Sequence, residues 1–185
     1  FPDIWKQARI CPLLKKGDSS ILENYRPITI LSNFSKIFES ILYKYIYSSI
    51  KYKITDTQHG FMQNRSTNTN LACFSQFLHE SLDSNTQVDV IYTDFAKAFD
   101  RIDHYVLLHK LHLFGFSDSL IELLKSYLIN RAQSVEYKNV HSKYIIPKSG
   151  VPQGSNLGPL LFLIFINDLL AVIKSQKLLF ADDLK

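Results

Sequence analysis

Hydrophobic spacing along the chain switches between a helical period and short apolar runs, and the switches set an element order. Ala8–Lys15 is a short apolar run closed by the turn-forming Lys16-Gly17-Asp18, which predicts a strand. Ile37, Phe38, Ile41, Leu42, Tyr45 and Ile46 recur at three-to-four spacing and predict a helix capped by Ser32 or Asn33 and running to about Ile50. A second helix is expected from Ser66 to Leu82, with Leu71, Phe74, Leu78 and Leu82 on one stripe. Gln87–Thr93 is rich in Val, Ile, Tyr and Thr and predicts a strand that delivers Asp94 at its end. Asp103 suits the cap of a helix carrying Leu107, Leu108 and Leu111 and stopped near Gly115. Ser119 with Glu122 reads as a capping box for a helix to about Leu128. Ser134–Val140 and Lys143–Pro147 predict a strand pair, and Pro159 starts a helix to about Ile173. Lys177–Ala181 is a last apolar strand leading into Asp182-Asp183. Helices separated by single strands and one hairpin predict an α+β fold rather than a repeating βαβ one.

Composition narrows the class. The chain has 185 residues, 46% hydrophobic and 21% charged, which is globular and fits about one domain. Lys and Arg number 21 against 17 Asp and Glu, and the resulting +4 is compatible with a polyanionic partner without requiring one. Cys11 and Cys73 follow no metal or redox spacing and read as idle thiols. Leu160–Ile166 is continuously apolar but is interrupted by Asn167 and Asp168, so it predicts a buried helix; a membrane span needs about 20 residues. Phe1–Ile10 has no secretory h-region. The chain opens on Phe, and its last residues stop inside a motif, so a fragment cut at both ends is expected.

Candidate chemistry rests on carboxylates. Asp94, Asp182 and Asp183 each follow a predicted strand, and the two strands are expected to be antiparallel neighbours with their carboxylates close enough to share ions. Close carboxylates repel unless a cation neutralises them, and hard divalent ions favour oxygen ligands. Two such ions about 3.5–4 Å apart suit phosphoryl or nucleotidyl transfer. Alone, an Asp-Asp pair after a strand is more often a solvated turn. Ser149–Ser155 precedes the Pro159 helix; its glycines allow close backbone approach, Gln153 offers donor and acceptor, and the helix start adds free amides. An ordinary hairpin-to-helix loop needs the same residue types. His104, His109 and His112 lack a completing ligand set and read as helix histidines. Tyr43, Tyr45, Tyr47 and Tyr52, with Lys51 and Lys53 nearby, read as packing and a solvated face rather than a base-stacking platform.

Five short blocks in order change the weighting. Asn24-Tyr25-Arg26-Pro27-Ile28, Gln58-His59-Gly60-Phe61, Asp94-Phe95-Ala96-Lys97-Ala98-Phe99-Asp100, the run Ser149–Phe162 and Phe180-Ala181-Asp182-Asp183 together resemble the reverse transcriptases of non-LTR retrotransposons. The resemblance implies right-hand polymerase fingers over about residues 1–85 and palm over 86–185, with an antiparallel palm sheet packed on helices and the thumb absent. It implies two Mg²⁺ ions, with Mn²⁺ as an alternative, held by Asp94 and Asp182 with Asp183 and the Phe95 carbonyl. Phe99 would be the aromatic gate beneath the sugar, Gln153 and Gly154 would line the nucleotide pocket, and Arg26, Lys15 and Lys16 would contact the triphosphate, Arg through its planar fork. RNA template, DNA primer and deoxynucleoside triphosphates are the implied partners, the nucleus is the implied compartment, and an endonuclease is expected outside this chain. Phe180 stands where most of the family has Tyr, which removes a hydroxyl near the primer end and leaves the carboxylates intact. The return strand of the acidic hairpin and the primer grip are expected to be missing, and with them processive synthesis by this chain alone. The rivals are a non-catalytic remnant that binds RNA weakly and a metal-dependent nuclease; the Ser149–Ser155 block argues against the nuclease, which needs no nucleoside-triphosphate pocket.

Overall fold

The computed structural model describes residues 1–185. Strands β1 (Gln7–Leu14) and β2 (Tyr25–Ile30) form an antiparallel ladder from Arg9↔Ile30 to Leu14↔Tyr25. Helices α1 (Asn33–Ile50) and α2 (Thr67–Asp83) follow, then α3 (His104–Leu113) and α4 (Asp118–Leu128). Strands β3 (Ala132–Tyr137) and β4 (Val140–His141) turn back on each other through Lys138 and Asn139. Both of those residues have positive φ, the pattern of a two-residue turn matched to strand twist. Helix α5 (Gly158–Ile166), the single turn α6 (Leu169–Val172) and the hairpin β5 (Leu179–Phe180) and β6 (Asp183–Leu184) complete the chain.

The four-stranded sheet runs β2-β1-β3-β4 and is mixed, because β3 joins β1 in parallel from Gln7↔Ala132 to Ile10↔Val135. The sheet therefore draws strands from both sides of residue 85. The α+β class holds, and the acidic hairpin is antiparallel.

Helix α5 is the pillar of the core. Its sequence, GPLLFLIFI, is apolar all round, and such a helix must be covered on every side. Leu160, Leu161, Leu163 and Ile164 are almost fully enclosed by Ile46 and Ile50 of α1, Leu107 and Leu111 of α3, Leu124 and Leu128 of α4, and Leu179 of β5. The helix ends at Asn167, whose side chain accepts from the Thr55 amide at 3.0 Å and donates to the Lys53 carbonyl at 3.0 Å. That anchorage is why the expected single helix to Ile173 is instead broken in two.

Several expectations are corrected. Gln87–Thr93 forms no strand; only Thr93 pairs, and Ile91 is 76% exposed. Strand propensity needs a partner, and β6 is only two residues long. Helix α4 is entered from Ser117 rather than Ser119, which lies inside the first turn, and Glu122 pairs with Lys125 at 3.0 Å instead of closing a capping box. The Lys143–Pro147 run contributes only the bridge Ile145↔Gln133. The return strand of the acidic hairpin, expected to be missing, is present as β6. On α1 the apolar set divides: Ile46 is buried with Tyr47 and Ile50, whereas Ile37, Ile41 and Tyr45 face solvent.

The buried face of α1 carries an acid. Glu39 is 0% exposed and accepts from the Ser35 hydroxyl at 2.9 Å and from the Asn156 amide at 2.9 Å, with the Leu157 amide at 3.4 Å. A helix start leaves amides without intrahelical partners, and Leu157 caps α5 with no side chain of its own. The Gly158 amide that opens α5 is taken by the Ser155 hydroxyl at 2.9 Å, and Glu39, from a different helix, takes the amides of the two residues just before it. Close by, the buried Arg131 guanidinium lies 5.0 Å over the Tyr127 ring and donates to the Tyr127 carbonyl at 3.1 Å. Burial pulls Arg131 down from the usual range, and Tyr127 and then Glu39 oppose that pull. Burial first, and then Glu39, push the Tyr127 phenol up. Glu39→Ala should cost on the order of 2–3 kcal/mol in urea unfolding, because it leaves buried amides unpaired. Glu39→Gln keeps an acceptor oxygen and should cost less; equal stability of Glu39→Ala and wild type would remove the capping role.

Candidate active site

The acidic hairpin is built from almost no chain. Phe180 pairs with Asp183, so Ala181 and Asp182 alone form the turn. Ala181 is buried with φ at +58°, a left-handed conformation that is unusual for a residue with a side chain. Two further segments flank the hairpin. Thr93 bridges Leu184 antiparallel, with amide-to-carbonyl bonds of 2.8 and 3.2 Å, and this sets Asp94 beside the hairpin. Gln58 bridges Leu179 in parallel on the other edge. The expected antiparallel neighbourhood of the Asp94 and Asp182 segments is therefore realised by one residue pair rather than by two full strands.

The Asp182 carboxyl is pushed up from the ordinary carboxylate range, first by burial and then by the charges of Asp183 and Asp94; its own backbone amide and Arg26 pull the other way. Arg26 belongs to β2, so a strand from the start of the chain acts on a carboxylate near its end. No group of three His, Cys, Asp or Glu side chains is gathered closely enough to form a metal cage. Like charges separate when nothing neutralises them. The donor set nevertheless fits a hard divalent ion: it is oxygen only, its members repel, and such ions take the rest of their shell from water and phosphate. Asp94 and Asp182 would hold the ion, with Asp183 and the Phe95 carbonyl, which no backbone hydrogen bond uses, as further oxygens.

The loop before α5 is tied on two sides. Val151 N donates to Phe99 O at 2.9 Å and Gly150 N to Ile102 O at 2.8 Å, which joins the loop to the segment after Asp94. Gly150 has φ +85°, and a Cβ there would sit 2.8 Å from Asp100 Cα, so glycine is required. On the other side, Thr29 N of β2 donates to Gln153 O at 2.7 Å. A Cβ on Gly154, with φ +110°, would meet Thr29 O at 2.9 Å. The Gln153 amide donates to Asp100 Oδ1 at 3.0 Å, which orients it. Phe99 stacks on Phe162 of α5 at 4.8 Å and meets Phe61 edge-on at 6.0 Å. Lys15 and Lys16 are exposed just beyond β1, where Lys15 N donates to Asn24 O at 2.8 Å. Among the histidines set aside on sequence, His104 bonds the Gly150 carbonyl at 2.7 Å and so braces this loop.

Sequence reasoning named the Gln58–Phe61 block but gave its residues no task. The structure packs it on the hairpin, with Gln58 bonded to both backbone polar groups of Ala181. Asp100 was likewise quoted without a role, although a carboxylate close to a pocket Gln is a recognisable orienting partner.

The shifted Asp182 gives a pH signature. Its folded pKa lies above its unfolded one, so its contribution favours the folded state below the unfolded pKa and is lost as pH rises through the folded value. Asp182→Asn should therefore melt higher than wild type at pH 7 without added divalent ions. The gap should close as pH falls into the carboxylate range; thermal melts across pH check this, and a wild type more stable than the variant at pH 7 would contradict the repulsion.

Comparison with known proteins gives the same answer as the geometry. Residues 13–185 match the family described as reverse transcriptase (RNA-dependent DNA polymerase). The probable RNA-directed DNA polymerase from transposon BS of Drosophila melanogaster is 34% identical over 91% of the chain. The RNA-directed DNA polymerase from mobile element jockey of Drosophila funebris is 32% identical over 91% of it. The chain spans 19% of the length of each of these relatives. An apo telomerase of Candida tropicalis, truncated from its C-terminal domain, shares the fold with a TM-score of 0.67 at 14% identity, covering 99% of this chain and 44% of its own. These relatives bear out the resemblance to retrotransposon enzymes that the five motifs carried. With the match running from β1 through the acidic hairpin, the chain belongs to the reverse transcriptase (RNA-dependent DNA polymerase) family.

Proposed function

We propose that the chain is the catalytic core of an RNA-directed DNA polymerase of retrotransposon type. One observation carries the reading: the Thr93–Leu184 bridge seats Asp94 beside the hairpin that bears Asp182 and Asp183, with Arg26 of β2 in the field of Asp182. A paired-carboxylate site beside a fingers arginine suits a metal-bound triphosphate. In this reading the primer 3′ oxygen attacks the α-phosphorus of a deoxynucleoside triphosphate, the bond to the β-phosphate oxygen breaks, and pyrophosphate leaves.

Divalent ions, when bound, lower the charge on the reacting phosphate and acidify the attacking hydroxyl. The chain's own residues supply placement and charge. Asp94 and Asp182 would hold the ions, with Asp183 and the Phe95 carbonyl as supporting oxygens. Arg26 offers two parallel donors to the triphosphate, with Lys15 and Lys16 as point charges farther along the β1–β2 hairpin. Gln153, oriented by Asp100, faces the nucleotide, and Gly154 lets the backbone come close. Phe99, wedged between Phe61 and Phe162, closes the space a 2′-hydroxyl would need. RNA template and DNA primer are the macromolecular partners, fingers and palm divide near residue 85, and work at nuclear DNA follows from the retrotransposon setting.

The test is extension of a DNA primer on an RNA template by the full-length protein with Mg²⁺ and deoxynucleotides. Wild type should synthesise, and Asp94→Ala and Asp182→Ala should each lose ~10³-fold or more of the rate. Phe99→Ala should keep synthesis but lose about tenfold or more of its discrimination against ribonucleotides. RNA cleavage without synthesis, or synthesis that survives Asp182→Ala, would overturn the reading.

A further inference from the structure

The hairpin that carries Asp182 has two-residue strands and a backbone strained at Ala181, so something outside it must hold its shape. The segment 57–60 is built to do so. Gln58 is 2% exposed, and its side-chain amide is used from both ends. Nε2 donates to the Ala181 carbonyl at 3.0 Å, and Oε1 accepts from the Ala181 amide at 2.9 Å. The same Oε1 accepts from Gly60 N at 2.7 Å, which fixes the side chain against its own loop. Gln58 thus pairs with both polar groups of one backbone residue, as a neighbouring strand would, at the point where the hairpin has no strand left to pair.

The surroundings leave that side chain little freedom. Leu179 N donates to Thr57 O at 2.9 Å and His59 N donates to Leu179 O at 2.9 Å, so the loop runs alongside β5. Asn70 of α2 is 3% exposed and donates to the same Leu179 carbonyl at 3.0 Å. Arg65 ties the loop from beneath, donating to the Asp56 and Gln58 carbonyls at 2.7 Å each. Gly60 admits the close approach: a Cβ there would lie 2.1 Å from Ala181 N and 2.6 Å from Ala181 Cα. Backbone does not yield as the end of a flexible side chain does, so alanine at 60 must push the turn away.

We infer that Gln58 is a positioning residue of the acidic hairpin: its carboxamide clamps the backbone of Ala181 in the left-handed conformation that sets Asp182 beside Asp94. Gln58 touches neither substrate nor carboxylate and acts through the turn. Its effect on turnover rests on the polymerase reading above; its effect on the acidic site does not.

Two substitutions displace the same turn by different means. Gln58→Met keeps length and bulk and removes both hydrogen bonds to Ala181 along with the one from Gly60 N; Gly60→Ala keeps Gln58 and adds the steric push. In the full-length protein, both should lower kcat for primer extension by about 10- to 100-fold, the range seen when groups that orient metal ligands are removed. KM for the deoxynucleotide should stay within about twofold, because Arg26 and Gln153 sit on other elements. Gln76→Ala on the exposed face of α2 should match wild type.

A second measurement reads the site without turnover. Mn²⁺ titration followed by electron paramagnetic resonance, with Asp182→Ala defining the background, should show about tenfold weaker binding in both variants. Wild-type kcat and Mn²⁺ affinity in the two variants would overturn the inference. So would kcat and KM shifting together with unchanged Mn²⁺ affinity, which marks a merely structural residue. If wild type itself does not polymerise, the polymerase reading fails, and the Mn²⁺ arm still decides the clamp.

Discussion

Three carboxylates have to be held around a two-residue turn against their own repulsion, and much of this fold answers that constraint. The turn cannot do it alone. A pair of two-residue strands is marginal in water, and Ala181 occupies a conformation that costs about 1–2 kcal/mol for a residue with a Cβ. The hairpin is therefore anchored on three sides. Thr93 pairs with its outer strand, segment 57–60 grips its inner strand, and Leu179 is 0% exposed in the main core. Burial first, and then the charges of Asp183 and Asp94, push the Asp182 carboxyl up. A site held this way is less stable than the same fold with neutral side chains would be, a common consequence of assembling charge for binding.

The second dependence runs through α5. An all-apolar helix packs well but cannot satisfy the amides at its own start, and Leu157 offers no help. Ser155 takes the first of them, Gly158 N, and Glu39 reaches from α1 to the Asn156 and Leu157 amides just before it, which makes the entry to α5 a fixed point. The loop that carries Gln153 ends at that point. Burying a carboxylate is costly unless it is bonded, and this one meets a hydroxyl and two amides with Arg131 and Tyr127 in its field. The core and the Gln153 loop are thus joined by a polar contact that sets register, where apolar packing alone would allow sliding.

Features with local causes were legible in the sequence. Asp103 caps α3 through its bond to Val106 N, Ser66 caps α2, and α5 is buried as its composition requires. The acidic residues and the motif order were also readable, because they are short runs of distinctive chemistry. What escaped was long-range. Gln87–Thr93 has strand residues but finds a partner only at Thr93, a fact set by the length of β6, some ninety positions away. Glu39 looks like an ordinary helix acid until α5 is brought against it. Gln58 reads as one letter of a motif, and its work appears only when the chain returns at Ala181. The apolar stripe of α1 was correct in period and too broad in extent, since periodicity cannot say how much of a face a neighbour covers.

The topology explains why residues from the two ends of the chain meet at all. The parallel pairing of β1 with β3 folds the first strands of the chain against a segment more than a hundred residues later. That places β2 at the sheet edge away from β3, with Thr29 bonded to Gln153 and Gly154 pressed close to the Thr29 carbonyl. Arg26 lies on the same strand, three residues from that contact. The strand bearing Arg26 and the loop bearing Gln153 are consequently one mechanical unit. The loop is joined in turn to Phe99 and Ile102, on the segment that leads back to Asp94. A displacement of β2 therefore has a direct route to the acidic site through main-chain hydrogen bonds, without passing through the apolar core.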